Sequence, residues 1–156
     1  MKFHFNKGGL NMENLFAFNE IGITYTSKSL GPKITSAKQV YDLLLPNWLD
    51  IDYVESFKLV MVNRASRLIG VNTISVGSVA GTVADPKKIF QTALKANSSA
   101  IILSLCHPSG NPQPSENDQI ITKKCVDAGK FLDLIVMDHI IVTRYGYFSF
   151  AEDGIL

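Results

Sequence analysis

Apolar residues alternate with polar ones, or run together, in several short segments of the chain, and both patterns are typical of β-strands. Two such runs meet at Arg64-Ala65 and two more at Tyr145-Gly146, so each pair predicts an antiparallel hairpin. The run 99–105 is almost entirely apolar, as expected of a central strand buried on both faces. The predicted strands cover residues 20–28, 55–63, 66–77, 99–105, 134–143 and 147–150.

Three other segments carry helix start and stop signals. Each begins at a polar residue that can cap a helix: Thr35 or Ser36, Asp85, and Ser115. The predicted helices cover residues 37–45, 86 to about 97, and 115–129. Strands and helices in this order predict an α/β fold, in which a mixed β-sheet is flanked by helices in three layers.

Composition limits the chain to one compact domain. Its residues are 46% hydrophobic and 19% charged, a composition that can bury one sizeable core. A chain of 156 residues is too short for two ordinary domains. The first 12 residues or so show no period and are interpreted as a leader. A hydrophobic fraction this high is compatible with a homo-oligomer, but no heptad pattern identifies the surface.

Charge and cysteine content exclude several classes of function. A net charge of +1 provides no field to hold a polyanion, so binding of nucleic acid is not supported. The sequence has no apolar segment long enough for a signal peptide or a membrane span. Two cysteines are too few for a disulfide framework and suit a reducing compartment, although the sequence does not exclude one disulfide bridge. We therefore expect a cytoplasmic protein.

Candidate chemistry is concentrated between residues 105 and 118. His107 ends the buried strand, and Asp118 lies in the first turn of the third predicted helix, on the same face as Ser115. The loop between them is short enough to bring that turn back over the histidine. An imidazole and a carboxylate are therefore expected to converge, as two ligands of one metal ion do.

A second interpretation of the same residues needs no metal. Ser-x-x-Asp before an apolar helix resembles a capping box, in which Ser115 accepts from a backbone N–H and Asp118 is favoured by the helix dipole. Likewise, a single histidine before a proline is more often structural than a ligand.

The string LCHPSG followed by NPQPSEND resembles the RadC family of the JAB/MPN (JAMM-motif) metalloproteins. In that superfamily a distant Glu precedes His-x-His-Pro and Ser-x-x-Asp. Further family landmarks follow in order, among them Ala128-Gly129-Lys130 and Asp138-His139, from about Ile34 to the C-terminus. The resemblance implies a JAB/MPN-like (cytidine-deaminase-like three-layer) fold over residues 34–156, preceded by a leader and edge strand over residues 1–33.

The resemblance also implies a zinc site that hydrolyses amide or isopeptide bonds. By the family motif, zinc ligands fall on positions 105, 107 and 118, and Glu55 activates the water while Ser115 stabilises the oxyanion. Position 105, however, is Leu105, which has no lone pair for a metal. Zinc is therefore expected to bind weakly or not at all unless another side chain replaces the missing histidine. The candidates for substitution or for a supporting role are Cys106, Asp138 and His139, but strand alternation points Cys106 away from His107.

Two functions from different classes follow from this resemblance. One is a zinc metallohydrolase-type domain with a degraded metal site, and the other is a metal-free interaction or scaffold module for an unknown protein or peptide. Direct binding of DNA, which the family's repair name implies, is the weakest possibility because of the near-zero net charge.

Overall fold

The computed structural model describes residues 30–77 and 84–156. The predicted strand 20–28, most of the leader region and most of the predicted loop 77–82 therefore lie outside the described residues. Within them the order of elements is α1 (Ala37–Leu44), a 3-10 turn (Leu45–Asn47), β1 (Ser56–Val62), β2 (Leu68–Val76), α2 (Pro86–Lys95), β3 (Ala100–Cys106), α3 (Glu116–Phe131), β4 (Ile135–Thr143) and β5 (Gly146–Ser149).

In the described part of the chain, five strands form one mixed sheet in the order β2-β1-β3-β4-β5. The two hairpins and the β1–β3 pair are antiparallel, whereas β3 and β4 are parallel and joined by α3. All seven residues of β3, the middle strand, are buried, as its continuous apolar run predicts. The predicted mixed sheet and its α/β class are thus confirmed.

Helices cover both faces of this sheet, and the sheet separates the core into two clusters. The core on the α3 face contains residues of α2 and α3 packed on alternate strand residues such as Leu59 and Leu103. The core on the α1 face contains Val40 and Leu44 packed on the intervening residues, such as Val60 and Ile102. Because adjacent strand residues point to opposite faces, one apolar strand supplies both cores.

The predicted caps begin all three helices. Ser36 accepts from the backbone N–H of Gln39, and Asp85 accepts from that of Lys87, with Pro86 in the first turn. Ser115 caps α3 by accepting from the backbone N–H of Asp118. The capping side chains thus satisfy backbone donors at the start of each of these helices.

A β-bulge near the start of β4 exchanges the faces of the residues that follow it. Ile101 pairs with Val136, but the next residue, Ile102, pairs with Asp138, so Met137 is extra. Asp138 therefore lies beside Ile102 on the α1 face, and His139 lies beside Leu103 on the α3 face. Simple alternation from Val136 would give the opposite arrangement.

The two cysteines of the chain are buried on opposite faces of the sheet. Cys106 belongs to the core on the α1 face and Cys125 to the core on the α3 face, and both thiols are free. The composition did not exclude one disulfide bridge between these two cysteines, but the structure contains none.

Among residues 30–77 and 84–156, no helix has both the length and the apolar character needed to span a bilayer.

Candidate functional site

The candidate site lies where β3 ends, β1 begins and α3 starts. Phe57 of β1 pairs with Leu105 of β3, so Glu55, just before β1, and His107, just after β3, lie at the same edge of the sheet. Leu105 and His107 are two residues apart and share the α3 face, where Leu105 joins the core and His107 contacts Asp118. The structure thus brings together the positions that the sequence motif predicts.

His107 is held by contacts at both ring nitrogens. Its Nδ1 lies 2.9 Å from the carbonyl oxygen of Asn111, and its Nε2 lies 3.4 Å from Oδ2 of Asp118. Since a carbonyl oxygen only accepts, Nδ1 carries the hydrogen and donates it, which leaves Nε2 toward the carboxylate. The turn that allows this has Gly110 at φ +78°, a left-handed conformation that glycine adopts without strain.

Ser115 and Asp118 form a complete capping box. The Ser115 backbone N–H donates to Asp118 Oδ2 over 2.6 Å and the Ser115 hydroxyl donates to the same oxygen over 2.7 Å. In return, the Asp118 backbone N–H donates to Ser115 Oγ over 3.2 Å. The structural interpretation of Ser-x-x-Asp is therefore confirmed, and the same carboxylate also contacts His107.

The His107–Asp118 contact shifts both groups toward their charged forms. Burial by itself lowers the pKa of His107, but hydrogen bonds to Asp118 and to the Asn111 carbonyl outweigh it and hold the pKa above 6.5. Burial likewise opposes the charge of Asp118, yet hydrogen bonds from His107 and Ser115 keep its pKa below 3.8. The negative charge of Glu55 also helps to raise the pKa of His107, which agrees with their neighbouring positions.

The opposite shifts define a pH window for the stabilisation by this pair. The contribution of Asp118 is present above its unfolded pKa and is lost as the pH falls through its lowered folded pKa. The contribution of His107 is present below its unfolded pKa and is lost as the pH rises through its raised folded pKa. The pair therefore stabilises the fold most between these limits.

The substitution Asp118→Asn is expected to lower the pKa of His107 from above 6.5 to below 6.5. Burial, which opposes the imidazolium, then acts without its main counterweight. Titration of the imidazole C–H signals by NMR measures this shift. Asp127→Asn is the matched control, because Asp127 lies on the same helix but binds Lys123 and Lys130. An unchanged His107 pKa in Asp118→Asn would mean that the contact does not form in solution.

Leu105, at the position where the sequence motif predicts a histidine, is packed in the core. Its side chain is 4% exposed and belongs to the apolar cluster on the α3 face. Its side chain packs against that cluster and provides no donor atom to the site. The departure from the family motif is therefore accommodated by the surrounding structure.

Neither Cys106 nor Asp138 reaches the site. Cys106 points to the α1 face, as alternation predicts, where its Sγ lies 3.3 Å from the Ser56 backbone nitrogen. Asp138 lies on the same α1 face, where its carboxylate accepts from the Ser149 hydroxyl and from the backbone N–H of Ala151. Both side chains thus have structural partners on the far side of the sheet.

His139 lies on the site's face of the sheet but is buried beneath α3. Its Nδ1 is 2.6 Å from the hydroxyl oxygen of Thr122, and that hydroxyl donates its one hydrogen to the Asp118 carbonyl. Nδ1 therefore carries the hydrogen and donates, while Nε2 is buried without a hydrogen-bond partner among the described residues. Sequence reasoning missed Thr122, although its position one helical turn after Asp118 places it on the same face of α3.

The donor set does not fit a catalytic zinc centre. Two ligand atoms about 2.0–2.1 Å from a tetrahedral zinc lie roughly 3.3 Å apart, close to the 3.4 Å between His107 Nε2 and Asp118 Oδ2. A catalytic site, however, needs three protein ligands. Within residues 30–77 and 84–156, no group of three or more His, Cys, Asp and Glu side chains is placed to hold a metal ion.

A pocket of about 290 Å³ opens beside Leu105, between the sheet and α3. Phe57 and Leu105 line it from the strands, and Asp118, Ile121 and Lys124 line it from the helix. Leu105, where the sequence motif predicts a metal ligand, therefore contributes an apolar side chain to a pocket of mixed polarity.

A mixed sheet covered on both faces, with the His-Pro turn at the end of its middle strand and Ser-x-x-Asp opening the next helix, defines a JAB/MPN-like domain. The family comparison agrees, since the model of the RadC-like JAB domain matches residues 34–155. The chain belongs to the RadC-like JAB domain family.

Three similar curated proteins have UPF0758 protein names. One from Alkaliphilus metalliredigens is 37% identical over 146 residues, which cover 91% of this chain and 62% of the relative. One from Symbiobacterium thermophilum is 33% identical over 79% of this chain and 52% of its own length. One from Thermotoga maritima is 41% identical over 64% of this chain and 45% of its own length. The chain thus spans about half the length of the relatives it matches.

Proposed function

We propose that this domain derives from the amide-hydrolysing zinc type, that its metal site is degraded, and that it acts as a metal-free binding domain for a protein or peptide. The observation that carries the proposal is Leu105, a buried apolar side chain where the family motif has its first zinc ligand. Loss of outer-shell partners alone typically costs 10–100-fold in metal affinity or activity, and loss of a ligand costs more.

The contacts of the two remaining ligand positions support the same proposal. Asp118 Oδ2 is occupied by the Ser115 backbone and hydroxyl and by His107, so the carboxylate is satisfied without a metal. The pair is also charge-balanced, because the raised pKa of His107 favours an imidazolium beside the carboxylate. A metal ion would have to displace that proton while gaining only two protein ligands.

Hydrolysis of amide bonds is the second candidate. It is favoured by the 3.4 Å spacing of His107 Nε2 and Asp118 Oδ2, which suits two ligands of one zinc ion. It is also favoured by Ser115, which bonds Asp118, and by Glu55, whose charge acts on His107. Bound zinc supplies a Lewis acid and a water with a pKa near 7. With two ligands the site falls one short of what this chemistry needs.

Zinc content and zinc affinity of the purified, tag-free protein test the proposal. The parent protein is expected to contain no stoichiometric zinc, and Leu105→His is expected to raise the affinity at least about 100-fold, because it completes a three-ligand set. Mass spectrometry of the metal and a competition titration with a chromophoric chelator measure both.

Two matched variants assign any gain to the motif. Leu105→Gln introduces a polar side chain at the same place without an imidazole, so its zinc affinity should stay that of the parent. His107→Ala in the Leu105→His background should abolish the gain. Stoichiometric zinc in the parent that His107→Ala removes would contradict the proposal and make hydrolysis the leading function.

A further inference from the structure

We infer that the end of the sheet opposite the candidate site is a self-association surface, through which two copies of the chain form a two-fold symmetric dimer. This end surface consists of Phe131, Leu132 and Ile135, flanked by Arg64 and Asp133. It lies at the start of β3, whereas the His107–Asp118 site lies at the end of that strand. The inference therefore goes beyond the proposed binding function and uses none of the residues of that site.

Three large apolar side chains are exposed within the five residues that join α3 to β4. Phe131 is 92% exposed, Ile135 66% and Leu132 43%. Neither core cluster of the described residues includes any of the three. Single exposed apolar side chains are normal on a monomer, but a contiguous group of them marks an interaction site.

Two charged side chains of opposite sign flank this apolar group. Val62 of β1, Ala100 of β3 and Ile135 of β4 pair across the sheet in one row. Arg64 lies two residues beyond Val62, and Asp133 lies two residues before Ile135. Two strand spacings therefore separate the charged residues, which is about 10 Å. Both are exposed, and neither forms an ion pair with another described residue.

This arrangement of charges is complementary to itself. In a two-fold dimer, every contact from residue i of one copy to residue j of the other is matched by the contact from j to i. An axis between the two charged residues brings Arg64 of each copy to Asp133 of the other and places the apolar groups against each other. A second copy of the chain carries the matching charges by symmetry, which an unrelated partner does not.

The turns that carry the two charged residues are held by hydrogen bonds. Asn63 Oδ1 accepts from two backbone N–H groups of the turn that contains Arg64. The carbonyl of Gly129 accepts from the backbone N–H groups of the residues before and after Asp133. Because these backbone segments are already fixed, little further ordering of them is needed when two copies associate.

Such a dimer leaves both candidate sites open. β3 has seven residues, so the candidate site lies about 20 Å from the end surface at roughly 3.3 Å per residue. End-to-end association therefore places the two sites about 40 Å apart, on opposite sides of the dimer. This is the arrangement needed for bivalent binding, in which a ligand presented in two copies is held more tightly than a single one.

Sedimentation equilibrium of the full chain tests the inference. The molar mass should rise from that of one chain at about 1 µM to that of two chains at about 200 µM. Phe131→Ser should weaken self-association at least about 100-fold, because each dimer loses two apolar side chains. The matched control is Tyr145→Ser, which changes an exposed aromatic residue at the opposite end of the sheet and should leave self-association unchanged.

Charge reversals test the contact between Arg64 and Asp133. Arg64→Glu and Asp133→Lys should each weaken self-association at least about tenfold, because two attractive contacts become repulsive. An equimolar mixture of these two variants should recover the dimer, and so should the double variant, since opposite charges then face each other again. Lys87→Glu makes the same change in net charge at the start of α2 and should have no effect. Urea unfolding verifies that each variant is folded.

A chain that stays monomeric up to about 500 µM would overturn the inference. A dimer that Phe131→Ser and both charge reversals leave intact contradicts it as well, because another surface then forms the interface. A monomer that is destabilised by Phe131→Ser also contradicts it, since another segment of the same chain then covers the end surface. None of these results depends on zinc or on the candidate site, so each leaves the proposed function standing.

Discussion

Lowering the pH from 6.5 to 4 is expected to remove about 3 kcal/mol from the free energy of unfolding because of His139 alone. Burial disfavours the charged imidazolium and lowers the pKa of His139 to about 4, although the charge of Asp118 opposes this shift. In the unfolded chain the same group titrates near 6.5. At a pH between these two pKa values the unfolded chain binds a proton that the folded protein does not bind. The free energy of unfolding therefore falls as the pH falls.

The contacts of His139 explain why it is not protonated in the folded protein. Its ring stacks on Phe150 with centroids 4.9 Å apart, lies near Phe57, and binds Thr122 through Nδ1. A proton on Nε2 would place a charge in this apolar surround, at an atom that has no acceptor among the described residues. Neutral His139 is therefore required for the packing between α3 and the sheet.

Urea unfolding between pH 4 and 8 measures this effect, with His139→Leu as the variant. Leucine has a similar volume and does not titrate, and the Thr122 hydroxyl keeps its bond to the Asp118 carbonyl. The variant should lose most of the slope between pH 4 and 6.5. His107→Gln is the control and should keep that slope, because the raised pKa of His107 acts on stability above pH 6.5. The same slope in His139→Leu and the parent would contradict the prediction.

Replacement of Gly129 by alanine is expected to destabilise the fold by about 3 kcal/mol. In the interior of a helix alanine is normally better than glycine by about 0.5–1 kcal/mol. A Cβ at Gly129, however, would lie 2.4 Å from the carbonyl oxygen of Leu134, a backbone atom that cannot move away independently. The collision therefore outweighs the gain in helix propensity and determines the sign of the effect.

The position of Gly129 explains the size of this effect. Its carbonyl accepts from the backbone N–H groups of Leu132 and Leu134, so it closes the turn between α3 and β4. A shift there moves the start of the strand that carries His139. Thermal and urea unfolding measure the loss, and Gly146→Ala is the matched control, since a Cβ at Gly146 has nothing within 4 Å. The control should stay within about 0.5 kcal/mol of the parent.

Local sequence patterns were sufficient to predict the elements that place the site. The apolar run of β3 identified the middle strand, and Ser115 with Asp118 identified the start of α3. Both interpretations of Ser-x-x-Asp have a structural counterpart, because the carboxylate that completes the capping box also reaches His107. A residue pattern cannot separate two roles that one geometry allows together.

Two features of the site depend on tertiary structure that no local pattern reveals. The β-bulge at Met137 turns His139 toward α3 and Asp138 away from it, and an alternating strand pattern gives no sign of an extra residue. The family resemblance included Gly129, but the reason for a glycine there is the carbonyl of Leu134, which belongs to the next element. The helix ends also differ slightly, since α1 stops at Leu44 and continues as a 3-10 turn.

Because both cysteines are buried, the native protein presents no thiol at its surface that can react with thiol reagents. Cys106 and Cys125 are fully buried in separate cores, and burial raises the pKa of Cys125 to about 12 and also raises that of Cys106. Thiolates, the reactive form, are therefore scarce and inaccessible at neutral pH. A single cysteine placed on the surface of the native protein, for example at the rim of the pocket, becomes the one position that a maleimide dye labels, so a fluorophore can be attached there without first removing the natural thiols.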